Sequence, residues 1–432
     1  MATPFWYNAA LAIAKPLYRW RIKKRADTPS QYQAECLERF GPFQAVKNLH
    51  CIWFHAVSVG ETNAAQPLIE HYLKQGHAVL VTNTTKTGQA RAKALFLNSP
   101  YQALFQAVYL PADQRHLIVD FLNQYQPRLL ALVETELWPN LLDQVHARHI
   151  PCLLINARLS EKSAQSYARL PKLTANMLKC LTQLLAQDAD TQQRYLALGM
   201  PAAQSQIVGS IKYDIQAQQT ALQAAQQLQQ QWHLQHRKIV ILASTHAPEE
   251  RVLLEALKDY LQQNRHALCI VVPRHPERFE EVFNQIQQLA LTVQRRSLAQ
   301  PIQADTQVYL ADSMGELWLW YALSQVAYVG GSLNEPGGGH NILEPLSLGL
   351  ATVIGPNYFN FQSIVTEFKQ AQAIAIQNNA ADIAQSIVQC LEQPEFAAQY
   401  QQHAQSVLAR NQGSLQRHIQ AIDLALQPES AT

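Results

Sequence analysis

The feature that most restricts how this chain can fold is an alternation of short apolar runs with segments of helical spacing, sustained over most of its length. LHCIWFHAV (49–57) leads into a helical pattern from about Thr62, and AVLVTN (78–83) is followed by TKTGQARAKALF (85–96). AVYLP, LLALVE, PCLLIN, QLLAQD and QIVGS then follow in turn, each separated by helical sequence. Runs this short, bounded by turn residues and spaced by helices, are βαβ punctuation. They predict parallel sheets covered by helices on both faces.

The pattern pauses once and restarts. Between about 214 and 237 lies QAQQTALQAAQQLQQQWHLQH, rich in Gln and Ala and without a strand, which reads as a helical connection. KIVILAS, ALCIVVP, LTVQRR, QVYLAD, VAYVGG and ATVIGP then repeat the alternation, and the tail from about 380 reads as helical and able to pack back across both units. At 432 residues, two cores are expected anyway. The predicted organisation is an anchor at 1–25, a Rossmann-like domain at 26–213, a helical connection at 214–237 and a second Rossmann-like domain with its tail at 238–432. The fold class is α/β, two doubly wound domains facing each other across a cleft.

Composition excludes some functions. A formal net charge of +2, with 15% charged residues, gives no field for nucleic-acid binding. The six cysteines stand singly, with no Cys-x-x-Cys, which favours buried thiols in a reducing compartment over disulfides or structural zinc.

The N-terminus is different in character. PFWYNAALAIAKPLYRW (4–20) is mostly apolar and RIKKR (21–25) is basic. A signal peptide would carry its charges first, and Lys15-Pro16 interrupts a run too short to span a bilayer. An interfacial helix fits better, with Trp6, Tyr7, Tyr18 and Trp20 at the headgroup level and the basic cluster on anionic lipid. The alternative is an ordinary amphipathic helix packed on the protein itself.

In open parallel sheets, ligands bind beyond the carboxyl ends of the strands. Polar residues recur at those places: Glu61 after FHAV, Glu134 at the end of LLALVE, Lys212 after QIVGS, Ser244-Thr245-His246 after KIVILA, Arg274 after CIVVP, and Gly330 to Asn341 after VAYV. GGSLNEPGGGHNILEP (330–345) is the strongest local signal. Its glycines free the backbone, the helix that follows offers N–H groups to a phosphate, and Glu344 could accept from ribose hydroxyls. A flexible loop capped by Asn341 is the plain alternative. The stretch is neither a Walker A loop nor a dinucleotide fingerprint. His340 and Glu344 are four apart but lack a third ligand at matching spacing, so no metal is expected. The aromatic residues of GELWLWYALS (315–324) read as core, and the helix N-terminus there, after Asp312-Ser313, as a second anion-binding or base-binding edge. Glu134 and Glu136, two apart on an extended chain, should point oppositely. Glu61 sits where a helix N-terminus would favour its ionised form, an effect that burial or neighbouring carboxylates would oppose.

Taken together, HAVSVGE, LVETELWPN, INARLS, GSIKYD, VPRHPERF, MGEL and GGHNILEP occur in the order found in the 3-deoxy-D-manno-octulosonic acid (Kdo) transferases of Gram-negative lipopolysaccharide synthesis. The chain resembles that family from its N-terminal segment to about residue 415. The resemblance implies the GT-B fold and inverting transfer of Kdo from CMP-Kdo to a lipid A precursor (lipid IVA), with the protein held at the cytoplasmic face of the inner membrane. It implies Glu61 as general base, and Glu134 and Lys212 as stabilisers of the transition state. Pro273, Arg274, Met314, Gly315, Glu316, Asn341, Ile342, Leu343 and Glu344 would bind the nucleotide, with CMP-Kdo as donor substrate and no cofactor. A GT-B enzyme acting on a UDP-sugar, and a membrane-docked nucleotide-sugar binder without turnover, are the alternatives that the residues leave open.

Overall fold

A computed structural model describes residues 3–43, 47–215 and 217–427. The chain divides into two compact units, Met1–Asp214 with Asn411–Thr432, and Ile215–Arg410.

The sheet of the first unit contains β1 (Ile52–His55), β2 (Val79–Asn83), β3 (Phe105–Tyr109), β4 (Leu129–Val133), β5 (Cys152–Ala157), β6 (Gln183–Ala186) and β7 (Ser205–Ile207). Their spatial order is β3-β2-β1-β4-β5-β6-β7, and each pair is parallel. Successive side chains leave a strand on opposite faces, and the core divides accordingly. Trp53, Leu130, Leu132 and Leu154 join one apolar cluster. Ile52, Phe54, Leu129, Ala131, Val133 and Ile155 join another on the other face. Both faces are therefore covered, as a parallel sheet requires.

The second unit repeats the plan with β8 (Lys238–Thr245), β9 (Ala267–Pro273), β10 (Val293–Arg295), β11 (Val308–Leu310), β12 (Val326–Val329), β13 (Ala351–Ile354) and β14 (Ala375–Ile376), in the order β10-β11-β9-β8-β12-β13-β14. Here too alternate residues split, Val240 and Leu242 to one cluster and Ile239, Ile241 and Ala243 to the other. In each unit the first strand in the chain lies between neighbours reached by crossovers in opposite directions. That is the topological switch point, β1/β4 in one and β8/β12 in the other.

Three local outcomes differ from what the sequence suggested. The Gln/Ala-rich segment is largely the helix Gln219–Gln231, and it lies in the second unit, with Ala225 buried in the cluster around Trp320. The last helix, Ser414–Leu426, belongs to the first unit, where Ile419 and Ile422 fill the cluster of Phe54 and Leu68. His418 Nε2 there accepts from the backbone N–H of Asn156 at 2.9 Å. The N-terminal helix, Phe5–Arg25, runs through Pro16 without a break; in line with the sequence, no helix among the described residues is long and apolar enough to cross a membrane. Its aromatic residues are not all alike. Trp6 and Trp20 are exposed, whereas the Tyr7 hydroxyl donates to Asp113 and Tyr18 packs edge-on against Phe40.

Candidate active site

The first unit gathers its polar residues at the β1/β4 switch point. Ser58 caps the helix Val59–Lys74, its hydroxyl accepting from the Glu61 N–H at 3.4 Å. This capping turns the Glu61 carboxylate back over the strand end. Oε2 accepts from the Val57 N–H at 2.6 Å and Oε1 from the Ser58 hydroxyl at 3.0 Å. Both bonds favour the ionised form, yet burial outweighs them, and the charges of Glu134 and Glu136 add to it. The carboxyl is pushed up to about 7. A capping carboxylate without these neighbours would be held low by the helix dipole, so capping alone does not account for this environment.

Glu134 follows the last residue of β4 with φ +64, a left-handed conformation that a non-glycine residue adopts only when its surroundings hold it there. Its N–H donates to Ile155 O at 3.0 Å. The turn at Glu134 ends the extended backbone of β4, and the charges of both Glu134 and Glu136 raise the Glu61 carboxyl. The two carboxylates have separate partners. Glu134 Oε1 accepts from Lys212 Nζ at 2.7 Å. Glu136 Oε2 accepts from Trp138 Nε1 at 2.8 Å and lies 3.7 Å from Nε2 of the fully buried His55. Lys212 sits in the short helical turn Ile211–Tyr213, whose entry is fixed by Asn156 Oδ1 accepting from the Ile211 N–H.

The second unit places its predicted residues around the β8/β12 switch point and the neighbouring strand ends. Pro273 closes β9, buried, and the exposed Arg274 donates its backbone N–H to Thr245 O at 3.0 Å. Glu344 lies in the short helix Leu343–Ser347, preceded by Ile342, and accepts from Asn341 Nδ2 at 3.2 Å. Burial raises its carboxyl, while Asn341 and Arg274 oppose the rise. Leu343 and Ile342 are buried, and the Leu343 N–H donates to Asn341 Oδ1 at 3.1 Å. His340 stacks on His246 with Nε2 to Nε2 at 2.8 Å, so one nitrogen donates and the other accepts. Burial, with the charge of His246 and Arg274, lowers the His340 pKa to about 4. Gly337, Gly338 and Gly339 all have positive φ, and a Cβ on Gly338 would fall 2.3 Å from Asn360 Nδ2. The three glycines thus allow the loop to lie against residues 357–360 of its own unit.

The turn Met314-Gly315-Glu316 follows β11, with Met314 exposed and Gly315 at φ +84. The predicted helix starts later than its sequence suggests, at Leu317. Glu316 is bound by the Arg296 guanidinium through two bonds, at 3.0 and 2.6 Å, which with the Ser313 hydroxyl hold its carboxyl low.

Sequence reasoning missed Glu249. It is fully buried at the start of the helix Glu249–Gln263 and accepts five hydrogen bonds, from the N–H groups of His246, Gly331, Ser332 and Leu333 and from the Tyr328 hydroxyl. It ties the end of β8 to the glycine-rich loop. The pair Glu249-Glu250 reads in sequence as ordinary first-turn acids, and no local spacing marks the first as a hub. Among the described residues, no group of three His, Cys, Asp or Glu side chains is arranged to hold a metal ion. Glu61, Glu134 and Lys212 thus belong to the first unit, and the other predicted site residues to the second.

Comparison with known proteins agrees with this division. Residues 34–215 match the family described as 3-deoxy-D-manno-octulosonic-acid transferase (kdotransferase), and residues 251–407 match glycosyl transferases group 1. The chain is 36% identical to a 3-deoxy-D-manno-octulosonic acid transferase of Haemophilus influenzae, covering 96% of both chains. It is 32% identical to one of Bordetella pertussis, over 96% of this chain and 98% of that one. Among solved structures, the C-terminal CMP-Kdo binding domain of WaaA from Acinetobacter baumannii is 57% identical, over 44% of this chain and 99% of that one, with a TM-score of 0.44. With two parallel-sheet α/β units, glycosyltransferase matches in both, and relatives aligned over nearly their whole length, the chain belongs to the 3-deoxy-D-manno-octulosonic acid transferase family of glycosyltransferases.

Proposed function

We propose that the chain transfers Kdo from CMP-Kdo to a lipid A precursor, lipid IVA, at the cytoplasmic face of the inner membrane, with inversion at the anomeric carbon and Glu61 as general base. The observation that carries this reading is the Glu61 carboxyl, held by Val57 and Ser58 and pushed up to about 7 at the mouth of β1. A sugar hydroxyl is a poor nucleophile and must lose its proton as it attacks. A positioned base with pKa near the working pH contributes about 10²–10⁴-fold. Each Glu61 oxygen uses one lone pair in its present hydrogen bonds, leaving another to accept the acceptor's proton.

Attack on the anomeric carbon breaks its bond to the CMP phosphate, and inversion puts base and leaving group on opposite faces of the sugar. Positive charge grows on the sugar ring while negative charge grows on the phosphate. Glu134 would face the first and Lys212 the second, and their 2.7 Å pairing holds both in place before substrate arrives. In the second unit, Arg274 would meet the phosphate, and Asn341 and Glu344 the ribose. Pro273, Ile342, Leu343 and the Met314–Glu316 turn would shape the nucleotide's seat. No cofactor has a step in this scheme.

The N-terminal helix supplies a reason for membrane residence. It has no acidic residue, and Phe5, Trp6, Ile13, Leu17 and Trp20 are exposed along it. Apolar and basic groups together suit an anionic bilayer surface. The test is incubation of the purified chain with CMP-Kdo, generated in situ, and tetra-acylated lipid A precursor, with products resolved by mass and anomeric configuration by NMR. Gain of Kdo with inverted configuration is expected, together with thermal stabilisation by CMP and not by UMP. Folded protein that binds CMP and transfers nothing contradicts the proposal.

A further inference from the structure

We infer that a cavity of about 270 Å³ between the N-terminal helix and the body of the first unit receives an acyl chain of the acceptor lipid. This rests on the transferase reading above and goes beyond it by assigning a lipid-chain site.

The walls are mainly apolar. Leu11, Leu17 and Tyr18 come from the N-terminal helix, Phe40 from the helix Pro29–Phe40, and Leu110 and Pro111 from the segment after β3. The helix is held there by specific bonds, since Tyr7 donates to Asp113 at 2.8 Å and Asn8 Oδ1 accepts from Asn140 at 2.9 Å. The cavity is therefore a property of the folded unit.

Its charges suit a phosphorylated lipid. Lys15 and Arg21 contribute to the lining, and neither has a carboxylate partner among the described residues. Arg39 also lines it but is fully buried and committed to Glu35 and to the carbonyls of Leu110 and Thr84. Asp113, the carboxylate in the wall, is locked by Tyr7, Asn140 and Leu141, and burial pushes its pKa up to about 7. The lining cations without a carboxylate are thus Arg21 and Lys15, whose ammonium lies 5.5 Å from the centre of the Phe40 ring, both on long flexible stems that can follow a headgroup while their methylenes cover the chain.

The cavity also adjoins the carboxylate cluster through its own walls. Trp138 lines it and donates to Glu136 at 2.8 Å. Thr84 lines it, and the next residue, Thr85, donates its hydroxyl to Val57 O at 2.8 Å, while the Val57 N–H holds Glu61. An acyl chain seated there would bring the sugar to which it is attached toward the proposed base.

The test uses the full chain in detergent micelles and a tetra-acylated acceptor carrying a diazirine on an acyl chain. After irradiation, adducts are mapped by mass spectrometry. They are expected on the segments 11–21 and 110–114. Ala14, exposed on the helix and part of the lining, is replaced by Trp to fill the space, and Ala12, exposed and outside the lining, by Trp as the control. Ala14→Trp should raise KM for the acylated acceptor by roughly tenfold, the loss of one or two buried methylenes at about fourfold each. KM for CMP-Kdo and for a deacylated acceptor should stay unchanged, and Ala12→Trp should change none of the three. Adducts confined to other segments, or equal losses on acylated and deacylated acceptors, would overturn the proposal. Wild type that transfers Kdo while its adducts lie elsewhere removes the lipid-chain site alone. Adducts at the cavity without Kdo transfer keep the site and remove the transferase reading.

Discussion

The Val57 backbone N–H donates to Oε2 of Glu61 at 2.6 Å, so the last residue of the strand–turn junction holds the carboxylate that the first helical turn presents. That bond favours ionisation, and burial with Glu134 and Glu136 opposes it more strongly. The balance leaves a carboxyl that titrates near neutrality and is fixed in direction.

A pH profile of kcat/KM should therefore rise through about pH 7, as Glu61 loses its proton, and level off above it. Replacing Glu136 by Gln removes one of the charges that raise Glu61, so the ascending limb should move to lower pH. An ascending limb that stays in place in Glu136→Gln would contradict this account of the shift.

Stability should respond in the opposite sense to activity. Because the folded pKa of Glu61 lies above its ordinary value of 4.5, the protonated form is the one that folding favours. This contribution is fully present below pH 4.5 and is lost as pH rises through about 7. Glu61→Gln should thus be more stable than wild type at pH 8, by about 1–3 kcal/mol given about 1.4 kcal/mol per pKa unit and partial screening, and the difference should vanish toward pH 4. Thermal unfolding at both pH values checks the sign.

Glu249→Gln replaces a carboxylate that accepts five hydrogen bonds with an amide that turns an NH₂ toward some of the same donors. A loss of about 3 kcal/mol or more is expected. The thermal shift produced by CMP should shrink with it, because Gly331–Leu333 lose their anchor. Denaturant unfolding with and without CMP measures both effects. A variant as stable as wild type would show that the loop is held by other means.

Lys23 and Lys24 are exposed at the end of the N-terminal helix, whereas Arg25 is paired with Glu35. Charge reversal at Lys23 and Lys24 should lower recovery on anionic vesicles, at about 1 kcal/mol per basic residue near the surface, and leave CMP binding intact. This is a cleaner test than deleting residues 1–25, which would also remove the buried Ile22 and the Tyr7–Asp113 bond. Unchanged vesicle recovery would argue for a helix that serves packing alone.

Much of this was legible in the sequence because parallel strands buried on both faces leave continuous apolar runs, and the residues just past them fall at strand ends by construction. Glu61, Glu134, Lys212 and Arg274 could be picked on that ground. What local pattern could not show was the turn at Glu134, since a left-handed residue leaves no mark in a string of letters. Glu249 was hidden because four of its five partners lie some eighty positions away. The helical tail is expected to pack back across both units, but its own letters could not say that Ser414–Leu426 is the part that joins the first. An apolar helix face states that it must be buried, and the sequence does not state against which sheet.

The most direct measurement is single-turnover Kdo transfer from CMP-Kdo to the lipid A precursor at pH 8, wild type beside Glu61→Gln, with CMP affinity measured on both. The account predicts equal CMP binding and a loss of about 10²-fold or more in the transfer rate. Transfer by Glu61→Gln at the wild-type rate would contradict it and move the base elsewhere, with Glu134 the next residue to replace.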